Sequence, residues 1–419
     1  MKTTTQLVLL LFTVTLFNCS PKEEKTLQID GTVYNTDTKS ILLVKPGKDP
    51  RFDSIIELPV LDGKFNYEAK LQHPEAVHLF LGEMRERGGG RFMKLFLENE
   101  KIELTIYQED EFDNNIVKGG ALNAEYEKFM KNVAEKFDKR LQPYQDSIDI
   151  LIERNEYHSD ELKEVLVALD VANSQDEKVP LYKRMELLQE KGLDKTPKAK
   201  KIREKQDVIY KEMREHRDQY ISMHPNLISY SFLLSDLLYN EKFIDIDLAK
   251  KNYKTLSDAH PNHPYNEFAL NLITAIDHIK IGKEFVDFSA PDLNGNKIKL
   301  SDEIKGKVAL LDLWATWCGP CIARSRTMVP LYDEYKDKGF TIVGVAGEFD
   351  NTDRLISFLE KEKWPWLQLV ELDKQNNIWE KYGAGNSGGK IFLIDNDGKI
   401  IAIDPTADEV RTELEARLN

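Results

Sequence analysis

Two cysteines three positions apart, Cys318 and Cys321, enclose Gly319 and Pro320 and follow directly on Trp317. Thiols at that spacing on the first turn of a helix can close a small disulfide. The free N–H groups and the positive end of the helix dipole there favour thiolate over thiol at the first cysteine, so Cys318 is the expected nucleophile. It would attack a substrate disulfide to give a mixed disulfide, which Cys321 resolves from within the helix; in reverse the pair would oxidise a dithiol. One carboxylate, Asp312, interrupts the apolar run Val308 to Trp314 just upstream. Buried and unpaired, it would have its pKa raised by desolvation. The alternative is a surface position, because Leu311 and Leu313 share one face of a strand and Asp312 the other.

Other chemistries fail on residue types. All eight histidines precede residue 280, so the C-terminal third has no Cys-His hydrolase. It also lacks the four ligands of a structural zinc. His260 and His263 stand in His-Pro-Asn-His-Pro, where the prolines mark a turn rather than a metal site. No metal is expected, and no cofactor beyond the redox-active disulfide. With 58 Lys and Arg against 72 Asp and Glu, the net charge of −14 and the lack of a basic block exclude phosphate-backbone binding, so no nucleic acid is expected.

The elements that must position this pair form the third of three textures. From Thr26 to Val117, alternating segments such as Ser40–Val44 and Lys101–Ile106, separated by Asp30-Gly31, Pro46-Gly47, Asp62-Gly63 and Gly88-Gly89-Gly90, predict a β-rich domain. It should be a small antiparallel domain, a sandwich. Lys118-Gly119-Gly120 ends that pattern, and residues 118–281 read as helical. Ile202, Ile209, Met213 and Tyr220 recur there at helical spacing, as a packing face. From residue 282 to 419, strands at Val308 to Trp314, Phe340 to Ala346, Leu367 to Leu372 and Lys390 to Asp395 alternate with helices, which predicts an α/β layer. Thr406 and Glu409 form a capping box for a last helix that buries Val410, Leu414 and Leu418. The fold class is therefore multidomain α+β.

The run Leu311-Asp312-Leu313-Trp314-Ala315-Thr316-Trp317-Cys318-Gly319-Pro320-Cys321 resembles the active-site strand and turn of thioredoxin-like thiol–disulfide oxidoreductases. Tyr335 to Val345 and Phe392 to Ile400 resemble the membrane-anchored branch typified by TlpA and ResA. The resemblance runs from about Lys283 to the end and implies a thioredoxin-like fold over 282–419. It also implies that Asp312 exchanges a proton with the resolving cysteine. Two departures stand out. The family's cis-proline, opposite the cysteine pair, falls here on Gly389 of Asn386-Ser387-Gly388-Gly389, which leaves Gly388 and Gly389 as candidates for the substrate loop. The Glu and Pro usual after the second cysteine are replaced within Ile322-Ala323-Arg324-Ser325-Arg326. Those arginines would favour the Cys318 thiolate if they faced it, and Glu348, at the end of a predicted strand, is a candidate stand-in for the missing glutamate.

The N-terminus reads as an export signal: Lys2, then an apolar run from Leu7 to Phe17 too short to span a bilayer. Leu16-Phe17-Asn18-Cys19 resembles a bacterial lipobox, giving a signal peptide over 1–18, a lipid anchor on Cys19 and a charged tether over 19–25. The β-rich domain resembles an uncharacterised one that often precedes thioredoxin-like modules in envelope lipoproteins. The expected function is a lipid-anchored envelope thiol–disulfide oxidoreductase, reducing rather than oxidising, because Gly-Pro between the cysteines is thioredoxin's pairing, with a potential near about −270 mV. It would sit at the periplasmic face of the inner or outer membrane, with surface display open. Its expected partners are disulfide-containing envelope proteins, and by resemblance a transmembrane thiol reductase of the CcdA or DsbD kind as electron donor. The alternatives are a peroxiredoxin-like peroxidase, disfavoured because Leu311 stands where a peroxidatic motif has proline, and a non-catalytic binding lipoprotein.

Overall fold

The computed structural model describes residues 25–50, 53–87, 89–240, 244–385 and 388–418. The expected signal peptide, Cys19 and all of the tether but Lys25 lie outside them, as do Asn386 and Ser387.

The first region holds β1 (Leu27–Tyr34), β2 (Ser40–Val44), β3 (Ile56–Pro59), β4 (Lys64–Ala69) and β5 (Glu75–Leu81). The short helix α1 (Met84–Arg87) then leads to β6 (Met93–Leu97), β7 (Lys101–Tyr107) and β8 (Ile116–Lys118). They form two four-stranded sheets, β4-β1-β7-β8 and β3-β2-β5-β6. In β1 and β7 every second residue is buried, the mark of a sheet with one wet face. Leu27 and Ile29 of one sheet share a core with Ile41, Leu79 and Leu95 of the other, so the region is a sandwich. Two details differ from the sequence reading. β1 runs parallel to β7, because the chain crosses to the other sheet and back between them. β8 also continues through Lys118, one residue past the expected end at Val117, before the left-handed Gly119 and Gly120 turn the chain.

Helices follow: α2 (Ala121–Val133), α3 (Lys139–Glu153), α4 (Asp160–Val171), α5 (Gln175–Glu190) and α6 (Pro197–Met223), then α7 (Leu227–Tyr239), α8 (Ile246–Ala259) and α9 (Tyr265–His278). α7, apolar nearly all round, is the hub: four successive residues, Ile228 to Ser231, are buried, which takes in every side of it. On α6, Ile209 and Tyr220 enter that core and Met213 packs on it, while Ile202 packs with Ile148 and Leu151 of α3. The predicted stripe is thus a packing face. The ring of His263 stacks on Tyr230 at 4.7 Å, and the ring nitrogen of His260 lies 2.6 Å from the Pro225 carbonyl oxygen. Among the described residues, no three His, Cys, Asp or Glu gather as a metal site would need.

The last region comprises the hairpin β9 (Ser289–Pro291) and β10 (Lys297–Lys299), then α10 (Leu300–Ile304), β11 (Val308–Trp314) and α11 (Gly319–Tyr335). β12 (Phe340–Glu348), α12 (Asp353–Glu362), β13 (Leu367–Leu372) and α13 (Ile378–Lys381) precede β14 (Ile391–Ile394), β15 (Ile400–Ile403) and α14 (Ala407–Leu418). The sheet order is β13-β12-β11-β14-β15, with β11, β12 and β13 parallel and β14 and β15 antiparallel. β11 is central and covered on both faces, so all seven of its residues are buried. The capping box forms, with the Glu409 N–H donating to Thr406 Oγ1 at 3.3 Å and the Thr406 N–H to the Glu409 carboxylate at 2.6 Å. Val410 and Leu414 are buried beneath it, and Leu418 packs at the edge of that core.

Polar ties fasten this region to the rest. Lys374 pairs with Asp53 of the sandwich at 2.7 Å, and Asn271 of α9 donates to Glu380 at 2.9 Å. Among the described residues, no helix is long and apolar enough to cross a membrane.

Candidate active site

β11 leaves the sheet at Trp314, and Ala315-Thr316-Trp317 turns the chain into α11. Cys318 occupies the cap position of that helix, and Pro320 falls in its first turn, where a missing N–H costs nothing. Cys318 and Cys321 are joined as a disulfide, their Cα atoms 5.3 Å apart. The Cys321 N–H donates to Cys318 Sγ at 3.3 Å, so one of the helix's free donors already points at the sulfur expected to carry negative charge on reduction. Cys318 is 6% exposed and Cys321 2%, so both are buried and Cys318 is the more accessible residue.

The turn is held from the neighbouring strand end. Glu348, buried at the tip of β12, accepts from the Thr316 N–H at 2.7 Å and from the Thr316 hydroxyl at 2.8 Å. Burial pushes the Glu348 carboxyl up, and the Thr316 hydrogen bonds offset part of that. Arg354 donates to the Thr316 carbonyl at 3.0 Å, and the Trp317 indole N–H to the Gly347 carbonyl at 2.9 Å. Glu348 therefore braces the backbone before the cysteines and has no hydrogen bond to either of them. As a candidate stand-in for the family's glutamate it acts on the turn and not directly on the sulfurs.

Asp312, in β11, is 1% exposed. The surface-strand alternative fails because β11 has no wet face. Burial pushes its carboxyl up to about 6, against the Ser325 hydrogen bond and the nearby Arg324 charge. The Ser325 hydroxyl lies 2.5 Å from Asp312 Oδ2 and 2.9 Å from the Cys321 carbonyl oxygen, one helical turn after Cys321. Asp312 Oδ1 has no hydrogen-bond partner. A buried carboxyl with one unsatisfied oxygen and a raised pKa is equipped to take up and release a proton.

Across from the disulfide runs the loop before β14. No peptide among the described residues is cis, so the chain meets the missing proline with trans geometry. The Gly389 N–H donates to Cys321 Sγ at 3.2 Å, a bond that proline could not make. A Cβ on Gly389 would run into the Leu313 carbonyl oxygen, so the close approach itself demands glycine. A Cβ on Gly388, whose φ is +145°, would meet only Cys318 Sγ, at 3.8 Å. The two arginines divide. Arg324 donates to the Gly389 carbonyl at 3.0 Å and to Asp404 at 2.7 Å, pinning the loop. Arg326 instead pairs at the surface with Glu362 at 2.7 Å, so the condition that both arginines face Cys318 is not met. Ser325, Thr316 and the Arg324–Asp404 pair were not singled out by the sequence reading. Only Ser325, four residues after Cys321 on the predicted helix, carried a signal that could have found it.

Residues 281–403 match the AhpC/TSA family model, and residues 27–126 match that of a domain of unknown function, DUF4369. The chain is 38% identical over 128 residues to the thiol-disulfide oxidoreductase ResA of Bacillus thuringiensis (strain Al Hakam), covering 30% of this chain and 69% of that protein. With ResA of Geobacillus thermodenitrificans (strain NG80-2) identity is 30% over 151 residues, covering 35% and 83%. Among solved structures, the thioredoxin domain of a thiol-disulfide oxidoreductase from Bacteroides vulgatus is 30% identical, covering 33% of this chain and 99% of that one, with a TM-score of 0.31. With at least 30% identity over more than two thirds of each of these ResA proteins, the chain belongs to the ResA family of thiol–disulfide oxidoreductases.

Proposed function

We propose that the protein reduces disulfides of envelope proteins while anchored to a membrane by a lipid on Cys19. The observation that carries the chemistry is the closed Cys318–Cys321 bond at a helix start, after a strand with a carboxyl that burial has pushed up. In the reduced protein the Cys318 thiolate attacks one sulfur of a substrate disulfide, and the other substrate sulfur leaves as thiolate. Cys321 then gives its proton toward Asp312 and attacks Cys318 Sγ, which releases the second substrate thiolate. Two electrons have passed to the substrate, and the protein is left with its own disulfide. A membrane dithiol reductase must return it to the dithiol, and no cofactor beyond the redox disulfide enters the cycle. Gly389 and Arg324 hold the loop beside Cys321, and Glu348 and Trp317 hold the turn.

The reducing direction rests on the Gly319-Pro320 pairing and on a potential expected near about −270 mV. Equilibration with a glutathione or dithiothreitol couple tests it; a value near about −120 mV would reverse the direction. Cys321→Ser produced in cells should trap mixed disulfides on Cys318, and mass spectrometry would name the substrates. Peroxide turnover dependent on Cys318 and faster than disulfide exchange would favour a peroxidase instead. Labelling with a radioactive fatty acid, lost on Cys19→Ala, tests the anchor.

A further inference from the structure

A cavity of about 450 Å³ opens at the turn that precedes Cys318, a size ordinary for a binding site. Trp317, the residue next to Cys318, forms part of its wall, and Trp379 continues the aromatic side. The opposite wall does not come from the thioredoxin-like region. Leu238 of α7 and Leu272 and Ile276 of α9 supply it, and Gly47 of the sandwich closes one end. These helices precede residue 281, where the AhpC/TSA match begins, so this wall is an addition to the catalytic module.

Four of the charged groups at its margin are already engaged. Glu348 holds Thr316, and Glu371 accepts from the N–H groups of Asn376 and Ile378 at 2.8 and 2.9 Å. Glu380 accepts from Asn271, and Lys374 pairs with Asp53. The last two bonds also clamp the helical wall and the sandwich to the catalytic region, which keeps the cavity formed. What remains to meet an occupant is mainly apolar and aromatic surface, with Lys390 in the lining, and Trp317 leads from it to Cys318. An occupant brought to Cys318 by its own disulfide carries its neighbouring side chains past Trp317.

We propose that this cavity seats an apolar side chain flanking the reactive cysteine of a substrate protein, so that the helical region selects which disulfides reach Cys318. This rests on the oxidoreductase reading and adds the substrate class to it.

The test uses the reduced full-length protein and two synthetic peptides, each with one cysteine linked to thionitrobenzoate. One carries Leu beside that cysteine, the other Gly. The Leu peptide should be preferred by about tenfold in kcat/KM, mostly through KM. Ile276→Trp and Leu238→Trp, which fill the cavity from two different helices, should each bring the ratio close to one. A simple aromatic disulfide without peptide reads the underlying chemistry alone: no Cys318-dependent turnover would sink the oxidoreductase reading and this one together. Turnover of that disulfide with a peptide ratio near one, or a tenfold ratio surviving in both tryptophan variants, would overturn the cavity assignment only. Anilinonaphthalene sulfonate bound to the protein should be displaced by the Leu peptide and not by the Gly peptide. Dye that neither peptide displaces would assign the cavity to a free apolar molecule and overturn the proposal.

Discussion

The helical region and the thioredoxin-like region differ in the carboxylates they bury: among the described residues the first buries Asp194, paired with Lys195, and the second buries three. In the helical region, pairs such as Arg140–Glu212 at 2.6 Å and Lys254–Asp258 at 2.7 Å sit in solvent. The thioredoxin-like region instead buries Asp312, Glu348 and Glu371. Burying a carboxylate is expensive unless hydrogen bonds replace water, and two of the three follow that rule. Both oxygens of Glu348 accept from Thr316, and both of Glu371 from backbone N–H groups. Asp312 breaks it, with Oδ1 unpartnered and Oδ2 held by a single hydroxyl. Burial alone therefore does not mark a catalytic carboxyl. What sets Asp312 apart is an oxygen left unsatisfied and a single partner, Ser325, that itself sits one turn after Cys321.

The largest effect should come from the sulfur itself. Cys318→Ala should lower disulfide exchange by more than about 10³-fold, while Cys321→Ser still releases one equivalent of substrate thiol in a rapid-mixing burst. A Cys318→Ala protein that still turned over would remove the reason to separate the two regions. Next, Asp312→Asn should slow exchange by about 10²-fold and erase a pH–rate inflection near 6. Its stability should move the other way. The Asp312 pKa rises from 3.8 to about 6 on folding, so the native state holds a proton that the unfolded chain gives up, and stability falls as pH rises through that window. Removing the charge should therefore stabilise the protein by up to about 3 kcal/mol at pH 7 and by almost nothing at pH 3.5, in urea titrations at the two pH values.

Gly389→Ala should cost about 2–3 kcal/mol, because its Cβ must displace the Leu313 carbonyl, and differential scanning calorimetry would show it. Glu348→Ala should cost about 2 kcal/mol by leaving the buried Thr316 N–H without a partner. Unlike Asp312→Asn, it should leave any inflection near pH 6 in place. At the bottom of the scale, Arg140→Ala should change neither melting temperature nor exchange rate measurably, since exposed ion pairs contribute little. A clear loss of exchange in that variant would blur the contrast between the regions.

Local pattern made much of this molecule legible. The alternation in β1 and β7, the apolar run of β11 and the Thr406–Glu409 cap depend on near neighbours in the chain, and each formed. Cys318 and Cys321 were legible because the chemistry itself lives in a four-residue segment. Asp312 was legible as a buried carboxyl only through its place in that apolar run, since a strand's alternation equally allowed a wet face. What could not be read was the far partner. Glu348 was picked for its position at a strand end, but its target, Thr316, is set by how β12 lies beside β11. Arg324 and Arg326 are two residues apart and looked equivalent, yet on a helix that spacing sends them to different faces, one to Asp404 and one to Glu362.

By itself, the sequence determined the redox pair, its helix-start setting and the strand that carries it, because those rest on short-range geometry and intrinsic thiol chemistry. Tertiary structure alone decided that Gly389 turns its N–H to Cys321 rather than leaving the loop slack, and that Leu238, Leu272 and Ile276 face Trp317 across a cavity. Those contacts join residues tens of positions apart. Their distances are fixed by the packing of whole helices and sheets, which no local pattern encodes.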